Sequence, residues 1–129
     1  MSAKNPFDAS APCALPIFYR TYSRLTDQGR ENYQQVTDRT VAAIAELGNF
    51  TEEETALVRE MQEKRQVLPS GRWLWTGGTE WLKQQKNFSG AYNCTSTRVT
   101  DWQSLALMMD LAMMGSGTGA VIEERHIEK

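Results

Sequence analysis

Ala91-Tyr92-Asn93-Cys94-Thr95-Ser96-Thr97-Arg98-Val99 decides the fold, together with the thirty residues after it. The stretch is rich in Thr, Tyr and Val and comes just after Gly90, so it reads as a strand. Thr100-Asp101 then caps a helix from 102 to about 114. Its last ten residues, Leu105-Ala106-Leu107-Met108-Met109-Asp110-Leu111-Ala112-Met113-Met114, have one polar member, Asp110. A helix apolar nearly all round is expected to be buried on nearly every side. Gly115-Ser116-Gly117-Thr118-Gly119 ends it, and Ala120-Val121-Ile122-Glu123 reads as a second strand. Strand, helix, strand predicts a parallel pair with a right-handed crossover. Two parallel strands are not a stable sheet, so the unit is expected to be the start of a larger α/β structure.

Upstream, Tyr33, Val36, Thr40, Ile44 and Leu47 recur every three or four residues. They predict a helix over about 28–47 with that face inward, stopped by Gly48 and Asn49. Thr51-Glu52-Glu53-Glu54 is a capping box with three acids at the positive end of a helix dipole. A second helix should run to about 65, with Leu57, Val58 and Met61 inward. The short connection predicts antiparallel neighbours. Residues 68–78, with Pro69, Ser70 and three glycines, read as loop, and 79–86 as a short helix. All four tryptophans fall between Trp73 and Trp102, a concentration that predicts a large packed interface. Three of the four prolines lie in the first sixteen residues. The resulting division is a flexible leader over 1–19, a helical region over 20–66 and an α/β part over 67–129.

The chain has 129 residues, 40% of them hydrophobic and 23% charged, with a net charge of −2. That balance is globular and gives no global basic excess for binding nucleic acid; no DNA partner is expected. No membrane span or signal peptide is visible, and the two cysteines, Cys13 and Cys94, are far apart, so a cytoplasmic location with reduced thiols is expected. No Ser/His/Asp set and no metal-ligand cluster can be assembled, and His126, the single histidine, lies in a charged tail. The glycine run is neither a Rossmann nor a Walker loop, because glycines precede the strand rather than a helix and Gly-Lys-Ser/Thr is missing. It can serve as a helix stop, or it can let a ligand approach the backbone closely. Cys94 can be an inert core thiol or a functional one; its neighbours Asn93 and Thr95 are polar.

Leu68-Pro69-Ser70-Gly71-Arg72-Trp73-Leu74-Trp75-Thr76-Gly77-Gly78-Thr79-Glu80-Trp81, then the Asn93-Cys94 strand, then Met113-Met114-Gly115-Ser116-Gly117-Thr118-Gly119, resemble in order and spacing the start of the catalytic barrel of ribonucleotide reductase. The likeness is closest to the class II form, the adenosylcobalamin-dependent ribonucleoside-triphosphate reductase, and is strongest over 68–123. It implies an incomplete ten-stranded α/β barrel, of which 91–123 would be the first strand–helix–strand unit, preceded by a mainly helical part. It implies that Cys94 is one of a redox-active thiol pair that reduces the ribose 2′-carbon. Ser70, Asn93, Ser116 and Gly117 would contact the ribonucleotide substrate, and Asp101 the deoxyribonucleotide effector. A thioredoxin-type reductant and the remainder of the barrel are the implied partners. The radical-bearing cysteine, the partner of Cys94 and the adenosylcobalamin site would lie outside these residues, so the chain alone is expected to be inactive, as an N-terminal fragment. The alternative reading is a non-enzymatic helical interaction module displaying Trp73, Trp75 and Trp81, or an inactive remnant. A nucleotide-binding domain of another class is a third, disfavoured by the order of the glycine turn.

Overall fold

The computed structural model describes residues 7, 10–92 and 94–126. The fold is mixed α/β and divides into two compact units, Met1–Gly78 and Thr79–Lys129.

In the first unit, α1 (Ala14–Ile17) runs on into a π-helical turn, Phe18–Tyr22, within the segment expected to be a leader. Phe18 is buried there. A two-pair antiparallel ribbon follows, β1 (Leu25–Thr26) with β2 (Gly29–Arg30), which hydrophobic periodicity does not announce. The long helix α2 spans Tyr33–Gly48. It starts later than about 28 because Asn32 builds a capping box: its side chain accepts from the Gln35 amide at 2.9 Å while Gln35 accepts from the Asn32 amide at 2.8 Å. Asn49 ends it in the left-handed conformation. The second helix, α3 (Glu52–Glu63), begins on the expected Thr51–Glu54 box. Tyr33 reaches Gln62, and Asp38 pairs with Arg59, so the two helices run antiparallel.

The inward faces differ from the apolar periodicity. The fully buried α2 residues are Val36, Thr37, Thr40 and Val41, while Ile44 and Leu47 are exposed. On α3, Leu57 is exposed and Gln62 is buried. A polar ladder explains the exchange. The Gln62 amide donates to Thr40 Oγ1 at 2.9 Å, and Thr40 Oγ1 donates to the Val36 carbonyl at 2.9 Å. Threonine and glutamine can be buried here because each finds a partner.

Residues 68–78 are not all loop. They contain α4 (Gly71–Thr76), where Ser70 Oγ accepts from the Trp73 amide at 3.2 Å. Trp73 is buried and donates its indole N–H to the Thr40 carbonyl at 3.1 Å, which fixes α4 to α2. The glycines that suggested a loop sit at the ends of this helix. Gly78 has φ +71, and a Cβ there would lie 2.5 Å from the Arg39 carbonyl oxygen, so only glycine fits.

In the second unit, α5 (Glu80–Lys83) leads into a 3₁₀ stretch, Gln85–Ala91. The strand therefore starts later than expected: β3 is Cys94–Val99. Then come α6 (Trp102–Met113) and β4 (Gly117–Ile122). The pair is parallel, with Cys94 opposite Gly117 and Val99 opposite Ile122. The glycine run is not wholly a turn. Gly115 alone among its glycines has positive φ, +92, while Gly117, Thr118 and Gly119 are strand. A short 3₁₀ turn, Glu124–His126, comes last.

The expected burial of α6 is not met within this chain. None of its residues is buried, and Trp102 and Met113 are 83% and 81% exposed. Two six-residue strands offer too little surface to cover an apolar helix. The tryptophans likewise do not share one packed interface: Trp73 is buried, and Trp75, Trp81 and Trp102 are exposed.

Candidate functional site

The parallel pair brings two of the sequence-derived candidates level with each other. Cys94 opens β3 as an exposed free thiol, and Gly117 opens β4 directly across from it. Side chains alternate along a strand, so Cys94, Ser96 and Arg98 share the more exposed face of β3, while Thr95, Thr97 and Val99 share the other, partly buried one. Across the pair, Gly117 and Gly119 stand beside Cys94 and Ser96. The sheet surface next to the thiol is therefore free of side chains on the β4 side. A Cβ at Gly119 would meet only the Thr95 carbonyl oxygen, at 3.8 Å, so packing within this unit leaves room for one.

Ser116, expected to contact the substrate, lies just before β4. It is buried, and its hydroxyl lies 3.3 Å from the carbonyl oxygens of both Ser89 and Tyr92. It ties the entry of β4 to the backbone that leads into β3. Asn93 lies outside the described residues. Asp101 sits past the opposite end of β3 as the N-cap of α6. Its Oδ1 accepts from the Ser104 amide at 2.8 Å and the Ser104 hydroxyl at 2.7 Å, and its Oδ2 from the Thr100 hydroxyl at 3.2 Å. These hydrogen bonds, the Ser104 hydroxyl foremost, hold the carboxyl below its ordinary range. Ser70 belongs to the first unit, where it is exposed and caps α4.

The first unit holds a polar cluster that sequence patterning does not reveal. Glu31 is buried between α2 and the segment after the π turn. Arg39 grips it with two bonds, Nε to Oε1 at 2.8 Å and Nη2 to Oε2 at 2.9 Å. The Arg24 amide donates to Oε2 at 3.1 Å. Both arginines then reach the carbonyls at the end of α4. Arg39 Nη1 donates to Gly77 and Nη2 to Leu74, and Arg24 donates twice to Trp75, at 2.8 and 2.6 Å, while stacking on its ring. Carbonyls at a helix C-terminus lack intrahelical donors, and two guanidinium groups supply them here. Burial alone would raise the Glu31 carboxyl. The Arg39 bonds, the Arg24 amide and the two positive charges outweigh it and hold the group below its usual value. Nothing in the sequence signals this cluster, because Glu31 lies outside any periodic element and Arg39 reads as a surface residue of α2.

Among the described residues no group of three or more His, Cys, Asp and Glu side chains could hold a metal ion, and no helix is long and apolar enough to cross a membrane. A cleft of about 240 Å³ in the first unit, with Phe18, Tyr22, Tyr33 and Leu74 among its lining residues, presents an apolar surface. That cleft is too small and too apolar for a corrin with its amide side chains. Comparison with family models, with curated proteins and with solved structures gives no match.

Proposed function

We propose that this chain forms the N-terminal part of a ribonucleotide reductase of the adenosylcobalamin-dependent class, with the second unit as the first strand–helix–strand of its barrel. One observation carries the reading. An exposed thiol, Cys94, opens the first strand of a parallel pair, level with the bare glycine start of the next strand. A dithiol reduction depends on access, and this thiol is open to a second thiol and to a substrate. In that chemistry Cys94 and a second cysteine outside this chain each give one electron and one proton. The ribose 2′-carbon loses its hydroxyl as water and gains hydrogen, and the two sulfurs close to a disulfide. A thioredoxin-type dithiol then reopens it. The exposed apolar surface of α6 supports the same reading, since a barrel would cover it.

The test is Cys94→Ser in the enzyme that carries this N-terminus. Multiple turnover with dithiol reductant is expected to fall to background, with substrate nucleotide binding within about twofold of wild type. Full turnover by the variant would end the assignment.

A second reading rests on the first unit. It has its own buried core of Phe18, Val36, Val41 and Trp73, closed by the Glu31–Arg39 cluster, as an autonomous helical interaction module would.

A further inference from the structure

Helix α6 differs between its two sides. Ser104, Leu105, Met108 and Leu111 are half-buried where the helix lies on β3 and β4. Trp102, Ala106, Met109 and Met113 are exposed. At about 100° of turn per residue, this second set falls on the side of the helix away from the sheet. No polar side chain stands among its four members, whereas a helix side turned to water carries polar ones. Barrel neighbours would cover the flanks of α6, Leu107 on one side and Ala112 on the other. They stand beside it in the same outer ring, so the side turned away from the sheet remains open.

The outer set is spaced by four, three and four residues, the spacing of a two-helix seam. Reversed, this seam is complementary to itself. With two copies antiparallel about the midpoint, Ala106 lies opposite Met109 of the second copy, so a small residue faces a large one. Trp102 lies opposite Met113, and every contact occurs twice by symmetry. Gln103 and Asp110 border the seam, and both are exposed. The antiparallel arrangement sets each Gln103 amide against Asp110 of the second copy, a donor against a carboxylate. A parallel one would stack Trp102 on Trp102 and give Asp110 no such donor. Asp110 is also the one charged residue of α6, so a strongly charged partner would find little to pair with, and a second copy matches the face throughout.

We propose that α6 pairs antiparallel with α6 of a second copy of this chain, along Trp102, Ala106, Met109 and Met113. The pairing does not involve Cys94, so its test and that of the reductase reading fail separately.

The test is sedimentation equilibrium of the full chain over a range of concentrations. Wild type is expected to form a species of twice the chain mass of 14.6 kDa and no larger one. Met109→Glu sets two carboxylates in the apolar seam, and dimerisation should weaken at least about a hundredfold. Met109 is exposed within the chain, so the fold should be kept, as an unchanged circular dichroism spectrum checks. Gln103→Glu places an acid against Asp110 of the second copy at two points, and should weaken dimerisation about fivefold to tenfold. Adding Asp110→Lys turns both like-charge contacts into opposite ones and should restore at least the wild-type affinity. Positions 103 and 110 are two turns apart on one helix and do not meet within a chain, so the restoration reports the second copy. A monomeric wild type, an association indifferent to Met109→Glu, as pairing of the open strand edges would give, or a Gln103→Glu variant that is without effect or not relieved by Asp110→Lys would each overturn the proposal.

Discussion

Glu31→Gln puts the structural account of the first unit under the most direct test. The carboxylate faces three donors: Arg39 Nε, Arg39 Nη2 and the Arg24 amide. An amide in its place keeps one acceptor and turns an NH₂ toward a donor. It also leaves the Arg39 guanidinium, whose side chain is 13% exposed, without its counter-charge. Removing one member of a buried, well-formed pair costs about 3–5 kcal/mol. Gln still bonds one guanidinium N–H, so about 3 kcal/mol is expected. With a urea slope of about 1–2 kcal/mol/M for a unit this size, the midpoint should fall by roughly 2 M. The Trp73 indole N–H, bonded to the Thr40 carbonyl, is the reporter, because it reads the first unit and no other. The sign of the pH dependence is fixed by the depressed Glu31 value. Between that value and the ordinary carboxylate range, about 4.3, the unfolded chain binds the extra proton. This contribution is therefore complete above that range and is lost as pH falls through the folded value. The gap between wild type and Glu31→Gln should narrow below about pH 4. A midpoint shift corresponding to under about 0.5 kcal/mol at pH 7, the range of an exposed pair, would refute the reasoning.

Two other sites carry expectations of the same kind. Gly78→Ala meets both a left-handed backbone and the Arg39 carbonyl, so a loss of about 2 kcal/mol is expected in the same urea assay, whereas Gly29, where a Cβ would find no atom within 4 Å, should cost only about 1 kcal/mol as alanine. Ser116→Ala leaves the Ser89 and Tyr92 carbonyls without their shared donor; amide exchange at the starts of β3 and β4 should quicken about fivefold to tenfold, for about 1 kcal/mol of local stability, and unchanged exchange would show that the hydroxyl does not tie the strand entries.

Where local chemistry decides, the sequence is legible. The Thr51–Glu54 box, the Gly48–Asn49 stop, the Asp101 cap and the strand–helix–strand order all come from residues within a few positions of one another. Where partners come from afar, it is not. Thr37, Thr40 and Gln62 are buried because they bond to each other across two helices, and an apolar count passes over them in favour of Ile44 and Leu57. The helix α4 hid behind its flanking glycines, because what secures it is Trp73 packing and the carbonyl caps from Arg24 and Arg39. Of the candidate residues, Cys94 and Gly117 do come together, through register alone. The buried structural use of Ser116 was not legible, since it depends on the path of the 3₁₀ stretch before β3.

The two units also differ in how far along the chain their contacts reach. Helices α2 and α3 are joined by three residues, and their pairing closes almost no loop. Every rung of the β3–β4 ladder joins residues 23 positions apart, with a whole helix to be laid down between them. Loop closure must precede the reward in the second case and hardly at all in the first. On a chain emerging from the ribosome, the helical pair can settle within microseconds of its appearance, whereas β3 must wait with its edge open until β4 arrives. The order of synthesis thus delivers the helical pair first, and leaves the thiol-bearing strand unpaired until β4 follows 23 residues behind it.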